Sequence, residues 1–426
     1  MKDLLSWKLA LRNLLRNKRR SLATGLAIWA GCIGVMLLMS YLMSSFYKLR
    51  TMAVYVGQRG QVAILKNKSL DNFNSKPKKY MLSPEEVGQI EKLIQQKSEF
   101  IEFTGKYLTG SGLISVGSNN FPFLALGFEP ETYDKIYKHP EVQKWAEDFV
   151  LKSQQDKSDY FLHNPHAVSP TKKIRELMGS SQDLQLMAKN IFNQLNATEA
   201  EIGPDHTTGL VFLEETSLQM PLSILQDLYS TDGIQYFSIY LKDYGQTTQL
   251  KNWLEQQIQS HHWPFEVYAF YDSPWSAFYV GTIGFFRILI GFFVVLVCGA
   301  VCLSVISTTT MGLVERLHEV GTLRAMGFTS WKITTLFTQE VFLLSIISLI
   351  LGVISAGLLC LLINSFHWTT NPPGAPGPVP FILILNFDVY VFTFLGMVLL
   401  TSSSAAVVIY IKQKSKIVDL LGDSGA

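Results

Sequence analysis

The chain has 426 residues, 48% apolar and only 16% charged, with a formal net charge of +2 and a mean hydropathy of +0.20. Soluble domains carry about 25% charged residues, so the deficit points to lipid as part of the solvent and excludes a purely soluble enzyme. The near-neutral charge balance implies no nucleic-acid partner.

In chain order, residues 3–20 place Leu4, Trp7, Leu11, Leu14 and Leu15 on one helical face and Lys8, Arg12, Arg16 and Arg19 on another. This pattern predicts an amphipathic helix over 1–21, either a topology signal or a mechanical element at the membrane surface. Four long apolar stretches follow, at 22–46, 277–307, 333–363 and 389–411. Each exceeds the roughly 20 residues a helix needs to cross hydrocarbon. The first is longer than the core of a cleaved signal (about 7–15 residues) and lacks a small-residue cleavage site, so it reads as a retained anchor. Only Arg287 and Glu340 bring charge into these spans. Neither reads as catalytic: both are expected to find a partner or a nearby interface.

Orientation follows from the basic residues. Seven lie in 1–20, three in 308–332 (Arg316, Arg324, Lys332) and three in the 412–426 tail, while the 364–388 loop holds none. By the positive-inside rule both termini and the 308–332 loop are cytoplasmic, and 47–276 is exported. That exported segment holds 27 acidic against 22 basic residues and no cysteine. Cys32, Cys298, Cys302 and Cys360 all fall within the spans and read as small packing residues, so no metal and no disulfide is expected.

Within the exported segment, Gln61–Leu65 is a short β-rich run. Ser83-Pro84-Glu85-Glu86 opens a helix running to about Gln96. A strand at 100–107 and a hairpin of 113–116 with 121–126 follow. The order returns in a strand at 235–241, a helix at 247–259 and a strand at 265–270. Two β-α-β halves, about 47–128 and 232–276, suggest a split ferredoxin-like subdomain carrying a second subdomain, about 129–231, as an insertion. The polar segment 139–181 is expected to be helices and loops, either a docking surface or a solvated insertion. Residues 184–188, 210–213 and the helix 221–229 are the expected ordered pieces.

Small residues recur at Ala23, Ala27, Gly31 and Gly34 in the first span and at Ser345, Ser348, Gly352 and Ala356 in the third, a pattern that lets helices approach closely in lipid. Met36, Met39 and Met43 follow in the first span, either as packing and lipid-facing filler or as an adaptable apolar contact. After the second span comes Val314-Glu315-Arg316-Leu317-His318-Glu319-Val320-Gly321-Thr322-Leu323-Arg324-Ala325-Met326-Gly327-Phe328, a charged helix ended by glycine between two membrane helices. No G-x-x-x-x-G-K-[ST], H-E-x-x-H or G-x-S-x-G occurs, so the chain is not read as an enzyme and any ATP would be bound by another protein.

This loop, continued through Trp331, Lys332, Ile333 and Phe337 to Glu340, resembles the MacB/FtsX-like ABC permeases, whose loop reads approximately R-x-x-E-I-G-x-L-R-A-x-G-x5-I-x3-F-x2-E, with Val320 here in place of Ile. The opening WKLALRNLLRNKRRSLATGLAIWAGCIGV is similar to the family's first helix and span. GQVAILKN, LGFEPE, LQLMAKNIFNQLNATEAEIG and MPLSILQDLYSTDG resemble the exported domain of the lipoprotein-releasing (LolC/LolE-like) branch. Segment 132–183 departs from that branch, being charged and helix-like rather than strand-rich.

The resemblance implies a MacB-type (type VII) ABC permease of the bacterial inner membrane: four transmembrane helices and a large α+β periplasmic domain. It implies a second permease chain, as homodimer or heterodimer, and two copies of a separate ATPase that binds ATP and Mg, with no cofactor in this chain. Glu315, Arg316, Glu319, Gly321, Arg324, Ala325 and Gly327 would form the ATPase-coupling helix. The cargo would be a lipoprotein or another lipid-like amphiphile, touching Met36, Met39, Met43, Ile283 and Phe286, with a periplasmic carrier as a further partner. Alternatives are export of a peptide, toxin or haem, or FtsX-like signalling in which the exported domain activates a periplasmic partner.

Overall fold

The computed structural model describes residues 12, 14, 18–117, 119–146, 158–179, 183–371 and 377–412. Most of the expected amphipathic helix over 1–21, the middle of the 139–181 segment and the tail beyond 412 lie outside the described residues. Two compact units are present: Met1–Ser45 with Gly284–Trp368 and Phe381–Ala426, and Phe46–Ile283 with Thr369–Pro380.

The first long helix, α1 (Lys18–Thr51), is followed by one π-helical turn, Met52–Val56. In the exported unit, β1 (Val62–Lys66) leads to α2 (Pro84–Gln95). Ser83 and Glu86 cap α2 reciprocally: the Ser83 Oγ accepts from the Glu86 N–H and the Glu86 carboxylate from the Ser83 N–H. The long strand β2 (Ile101–Val116) turns at Gly117 into β3 (Asn119–Phe128). Two short helices, α3 (Pro130–Lys138) and α4 (Pro140–Trp145), each begin with proline at the first helical position. Then come β4 (Ala167–Pro170), α5 (Lys172–Met178), β5 (Asp183–Lys189), β6 (Leu195–Ile202), β7 (Ser217–Pro221), α6 (Leu222–Tyr229), β8 (Tyr236–Leu241), α7 (Thr247–Ser260) and β9 (Phe265–Ala269).

β9, β1, β8 and the first half of β2 form an antiparallel sheet in that order, with Val62 opposite both Ile239 and Ala269. Alternation along the strands buries both faces. Val62, Ile64, Phe237 and Ile239 pack with Ile90 and Leu93 of α2 and Leu250 and Leu254 of α7. Ala63, Leu65, Tyr236 and Tyr240 face an aromatic layer with Tyr55, Tyr107 and Phe128. Tyr107 and Tyr240 share a hydroxyl hydrogen bond of 2.8 Å in this layer.

The second half of β2 belongs to a different arrangement. There it pairs with β3 on one side and β5 on the other, and β3–β7, β7–β4, β4–β6 and β6–β5 complete a circuit of six strands. One strand thus serves both sheets, where the sequence predicts two strands at 100–107 and 113–116. Glycines make this possible: a Cβ on Gly110 would crowd Tyr229 and Leu225, and one on Gly112 would overlap the Met187 carbonyl oxygen. The strands β4, β6 and β7 are additions to the expected layout, and 210–213 contains a 3-10 turn, Val211–Leu213. His206 is sealed in this region between the hydroxyls of Ser169 (3.2 Å) and Ser217 (3.1 Å).

The membrane unit holds α1 up to Ser45 and most of α8 (Ala277–Val314), α9 (Leu317–Ala325), α10 (Ser330–Ser365) and α11 (Phe387–Lys412). α1, α8, α10 and α11 are long and apolar enough to cross a membrane. α8 continues to Val314 and α10 begins at Ser330, so less of 308–332 is loop than the hydropathy boundaries suggest. Ile28, Cys32, Met36, Val301, Leu349, Ala356, Met397 and Ala405 form the core. Small residues allow the close approaches: a Cβ on Gly25 would lie 2.9 Å from Ser348 Oγ, one on Gly31 2.6 Å from Val301, and one on Gly352 2.9 Å from Cys32 Sγ. In the third span Ser345, Ser348, Gly352 and Ala356 are all buried as packing residues. In the first span, by contrast, the buried stripe runs through Gly25, Ile28, Cys32 and Met36, and the expected members Ala23 and Gly34 face outward.

Two outcomes test this architecture. Gly112→Val should destabilise the full-length protein by about 1–3 kcal/mol through overpacking at the strand crossing, seen as earlier proteolysis within residues 101–189 on heating. Burial holds His206 down at about 4, below the ordinary value of 6.5. The unfolded chain therefore binds this proton first, and stability is lost as pH falls from 6.5 towards 4, by about 3 kcal/mol in the limit. His206→Gln should flatten that part of the pH–stability curve relative to wild type, and an unchanged slope would count against a buried neutral imidazole.

Candidate functional site

The candidate site is built from the end of α8, the helix α9 and the start of α10. After Val314 the backbone leaves helical geometry at Arg316 (φ −116°, ψ 20°), which sits at the N-cap position of α9. The Arg316 guanidinium turns inward and donates to both oxygens of Glu340, at 3.0 and 3.2 Å. The two side chains are 5% and 11% exposed. The guanidinium also lies 5.9 Å from the Phe337 ring centre. Beside this pair, Arg20 of α1 donates to Glu315 at 3.3 Å, and its guanidinium occupies the space a side chain would need at Gly312. Guanidinium and carboxylate therefore alternate through Arg20, Glu315, Arg316 and Glu340.

Val320, Gly321 and Ile333 are buried. α9 ends where Gly327 takes a left-handed conformation (φ +87°), with the Phe328 N–H returning to the Leu323 carbonyl at 3.1 Å. Glycine adopts this geometry without steric cost. The outward surface carries Glu315, His318, Glu319, Thr322 and Ala325, with Arg324 half-buried. It also carries three large apolar side chains, Met326 (62% exposed), Phe328 (45%) and Trp331 (72%).

The seven residues expected in the coupling segment thus divide. Glu315, Glu319, Ala325 and Gly327 lie on the outside and Arg324 partly so, while Gly321 is buried against its own chain. Arg316, expected among the outward polar contacts, faces inward instead, because Glu340 draws the guanidinium into the helix unit. A charge count along the loop passes over Met326, Phe328 and Trp331; their signal is large apolar residues flanking a glycine stop.

The residues expected to touch cargo divide as well. Met36 is 0% exposed, packed in the helix core with its sulfur 3.7 Å from that of Cys32, and so is not open to a ligand in this arrangement. Met39, Met43 and Phe286 are half-buried and Ile283 is buried. Arg287 is exposed and has no ion-pair partner among the described residues. It lies on α8 well before Val314, about 40 Å away at 1.5 Å per residue, more than the ~30 Å hydrocarbon thickness. Among the described residues no group of three or more His, Cys, Asp or Glu could hold a metal.

In the exported unit, charged contacts fasten the last turn of α1. Arg50 pairs with Glu141 of α4 and lies 3.7 Å from the Tyr244 ring centre, and Tyr244 donates to the other Glu141 oxygen at 2.7 Å. Burial, then the Glu141 charge, raises the Tyr244 hydroxyl far above its ordinary value. Arg59 donates to the Trp275 carbonyl and lies over the Trp275 ring, just before α8 begins.

With the geometry in place, comparison with known proteins gives a family for the C-terminal part: residues 288–412 match the FtsX-like permease C-terminal family. This region is similar to FtsX-like permease C-terminal domains. It contains most of α8, all of α9 and α10, and α11, and so the whole Arg316–Glu340 pair. The curated proteins contain no match to the chain. Among solved structures, the periplasmic region of MacB from Actinobacillus actinomycetemcomitans is 11% identical, with a TM-score of 0.33, covering 50% of this chain and 92% of that one. The extracellular domain of the noncanonic ABC-type transporter YknZ from Gram-positive bacteria is 11% identical, with a TM-score of 0.31, covering 49% and 98% respectively.

The stop of α9 is open to test. Gly327→Ala forces a side chain into the left-handed region at a cost of about 1–2 kcal/mol. It should raise amide exchange in the last turn of α9 several-fold while leaving α10 unchanged.

Proposed function

We propose that the chain is the membrane subunit of an ATP-driven ABC transporter of the MacB type, paired with a second permease chain and with two copies of a separate ATPase. The observation that carries this reading is α9 within the FtsX-like permease domain: a short helix anchored by a buried ion pair and presenting a mixed apolar and polar surface. Three exposed large apolar residues beside Glu319 and Arg324 suit a protein surface better than water. The chain itself binds no nucleotide in this reading; the partner holds ATP and Mg, and α9 receives its motion. The protein lies in the bacterial inner membrane with both termini cytoplasmic. β9, β1, β8 and β2 with α2 and α7 form the split ferredoxin-like porter subdomain, and the inserted subdomain, about 129–231, supplies β4 to β7, which close the six-strand circuit with β2 and β3 on the periplasmic side. What supports the porter assignment is the strand order β9-β1-β8-β2, the order of a ferredoxin-like sheet.

ATP-driven motion of the exported domain extracts or exports a lipoprotein or another lipid-like amphiphile, as in the LolC/LolE-like branch that the sequence resembles. Met39, Met43 and Phe286 are the apolar contacts retained from the expected set, being half-buried rather than sealed.

Two measurements test this reading. An ATPase should copurify with the full-length chain in mild detergent, and Phe328→Glu with Trp331→Glu should weaken that association at least tenfold, as loss of an apolar anchor does at about 1.4 kcal/mol per tenfold. Full ATPase retention by the double variant would refute docking through this surface. A mass inventory of the purified complex should find acylated protein that leaves on ATP addition. A stoichiometric soluble hydrolase with no lipid cargo would instead favour signalling.

A further inference from the structure

The Arg316–Glu340 pair has no role as a docking surface, since both side chains are turned into the protein, while Arg20–Glu315 beside it stays partly exposed. Its geometry is nevertheless specific. Arg316 is the residue at which the chain passes from α8 into α9, and Glu340 lies in α10. One guanidinium nitrogen, Nη1, donates to both carboxylate oxygens, so the contact is charge-assisted and doubly hydrogen-bonded. Arg20 adds α1 to the same point through Glu315, and it fits only because residue 312 is glycine. Three long helices and the start of α9 therefore meet in four alternating charges.

We propose that the Arg316–Glu340 pair, braced by Arg20–Glu315, is the positioning joint that makes α9 move as one body with the spans. Arg316 and Glu340 are positioning residues: they act through α9 rather than by touching ATP or cargo. A short helix joined to its neighbours only by turns would rotate locally when pushed; one locked through its first residue to α10 carries the displacement into the helix unit. The inference rests on the coupling reading above and assigns the inward-facing residues that reading leaves without a task.

The test uses the full-length chain with its copurified ATPase in lipid nanodiscs, comparing amide exchange between the nucleotide-free state and the ADP–vanadate state. In wild type, the nucleotide change should alter exchange both in α9 and within residues 46–283. In Glu340→Gln the ATPase should still copurify and hydrolyse ATP, the response in α9 should remain, and the response within 46–283 should fall to less than a fifth of wild type. The reversed pair, Arg316→Glu with Glu340→Arg, should recover at least half of it. A purely structural role predicts a different pattern, in which the reversed pair restores the yield of folded protein without restoring the distant response. A Glu340→Gln complex with the full wild-type response, or a folded reversed pair with none, would overturn the proposal. A wild-type chain that retains no ATPase would overturn the coupling reading together with this joint, and is told apart from failure of the joint alone by that copurification.

Discussion

A guanidinium and a carboxylate buried in an apolar helical unit are tolerable only together. Removing either partner of such a pair costs about 3–5 kcal/mol, because the remaining charge stays desolvated. Arg316 and Glu340 meet that condition with two hydrogen bonds and little exposure. The requirement shapes what surrounds them: α8 must end where Arg316 can turn inward, α10 must begin early enough to bring Glu340 level with it, and residue 312 must leave room for Arg20.

The two units solve the packing problem by different physics. In the exported unit, burial of apolar surface from water is the driving term, and strands with both faces covered read as almost continuous hydrophobic runs, as in Tyr236–Leu241. In the membrane unit, lipid is as apolar as leucine, so cohesion comes from close contact. The near-touching pairs Gly25 with Ser348, Gly31 with Val301 and Gly352 with Cys32 are that contact, and the hydrogen bond from Trp29 to Ser355 at 3.1 Å adds a polar tie.

How far the sequence displays this structure depends on whether the signal is local. The helix opened by Ser83-Pro84 and closed near Gln96 is legible because the cap, the proline and the apolar spacing all lie within one segment. The four spans are legible from length alone, and the stop of α9 from Gly327. The strand β6 is not: Leu195-Asn196-Ala197-Thr198-Glu199-Ala200-Glu201-Ile202 buries only Ala200, and its partners β4 and β5 rather than its own pattern make it a strand. In the candidate site the same division holds. The loop's charge and glycines mark it in one dimension, but the inward turn of Arg316 depends on Glu340, 24 residues away, and the packing of Met36 depends on which face of α1 meets α8, α10 and α11.

The position of β2 bears on what the exported unit can do. Its first half belongs to the antiparallel sheet with β8 and its second half to the six-strand circuit, so no flexible linker separates the two arrangements along this strand. Hydrogen-bonded strands resist sliding because a one-residue shift exchanges the buried and exposed faces. A displacement delivered to the antiparallel sheet is therefore passed along β2 rather than absorbed between subdomains. The Arg50–Glu141–Tyr244 contact acts in the same sense, tying the last turn of α1 to α4 and to the turn before α7. Both features favour an exported unit that responds as a whole rather than through local loop motion.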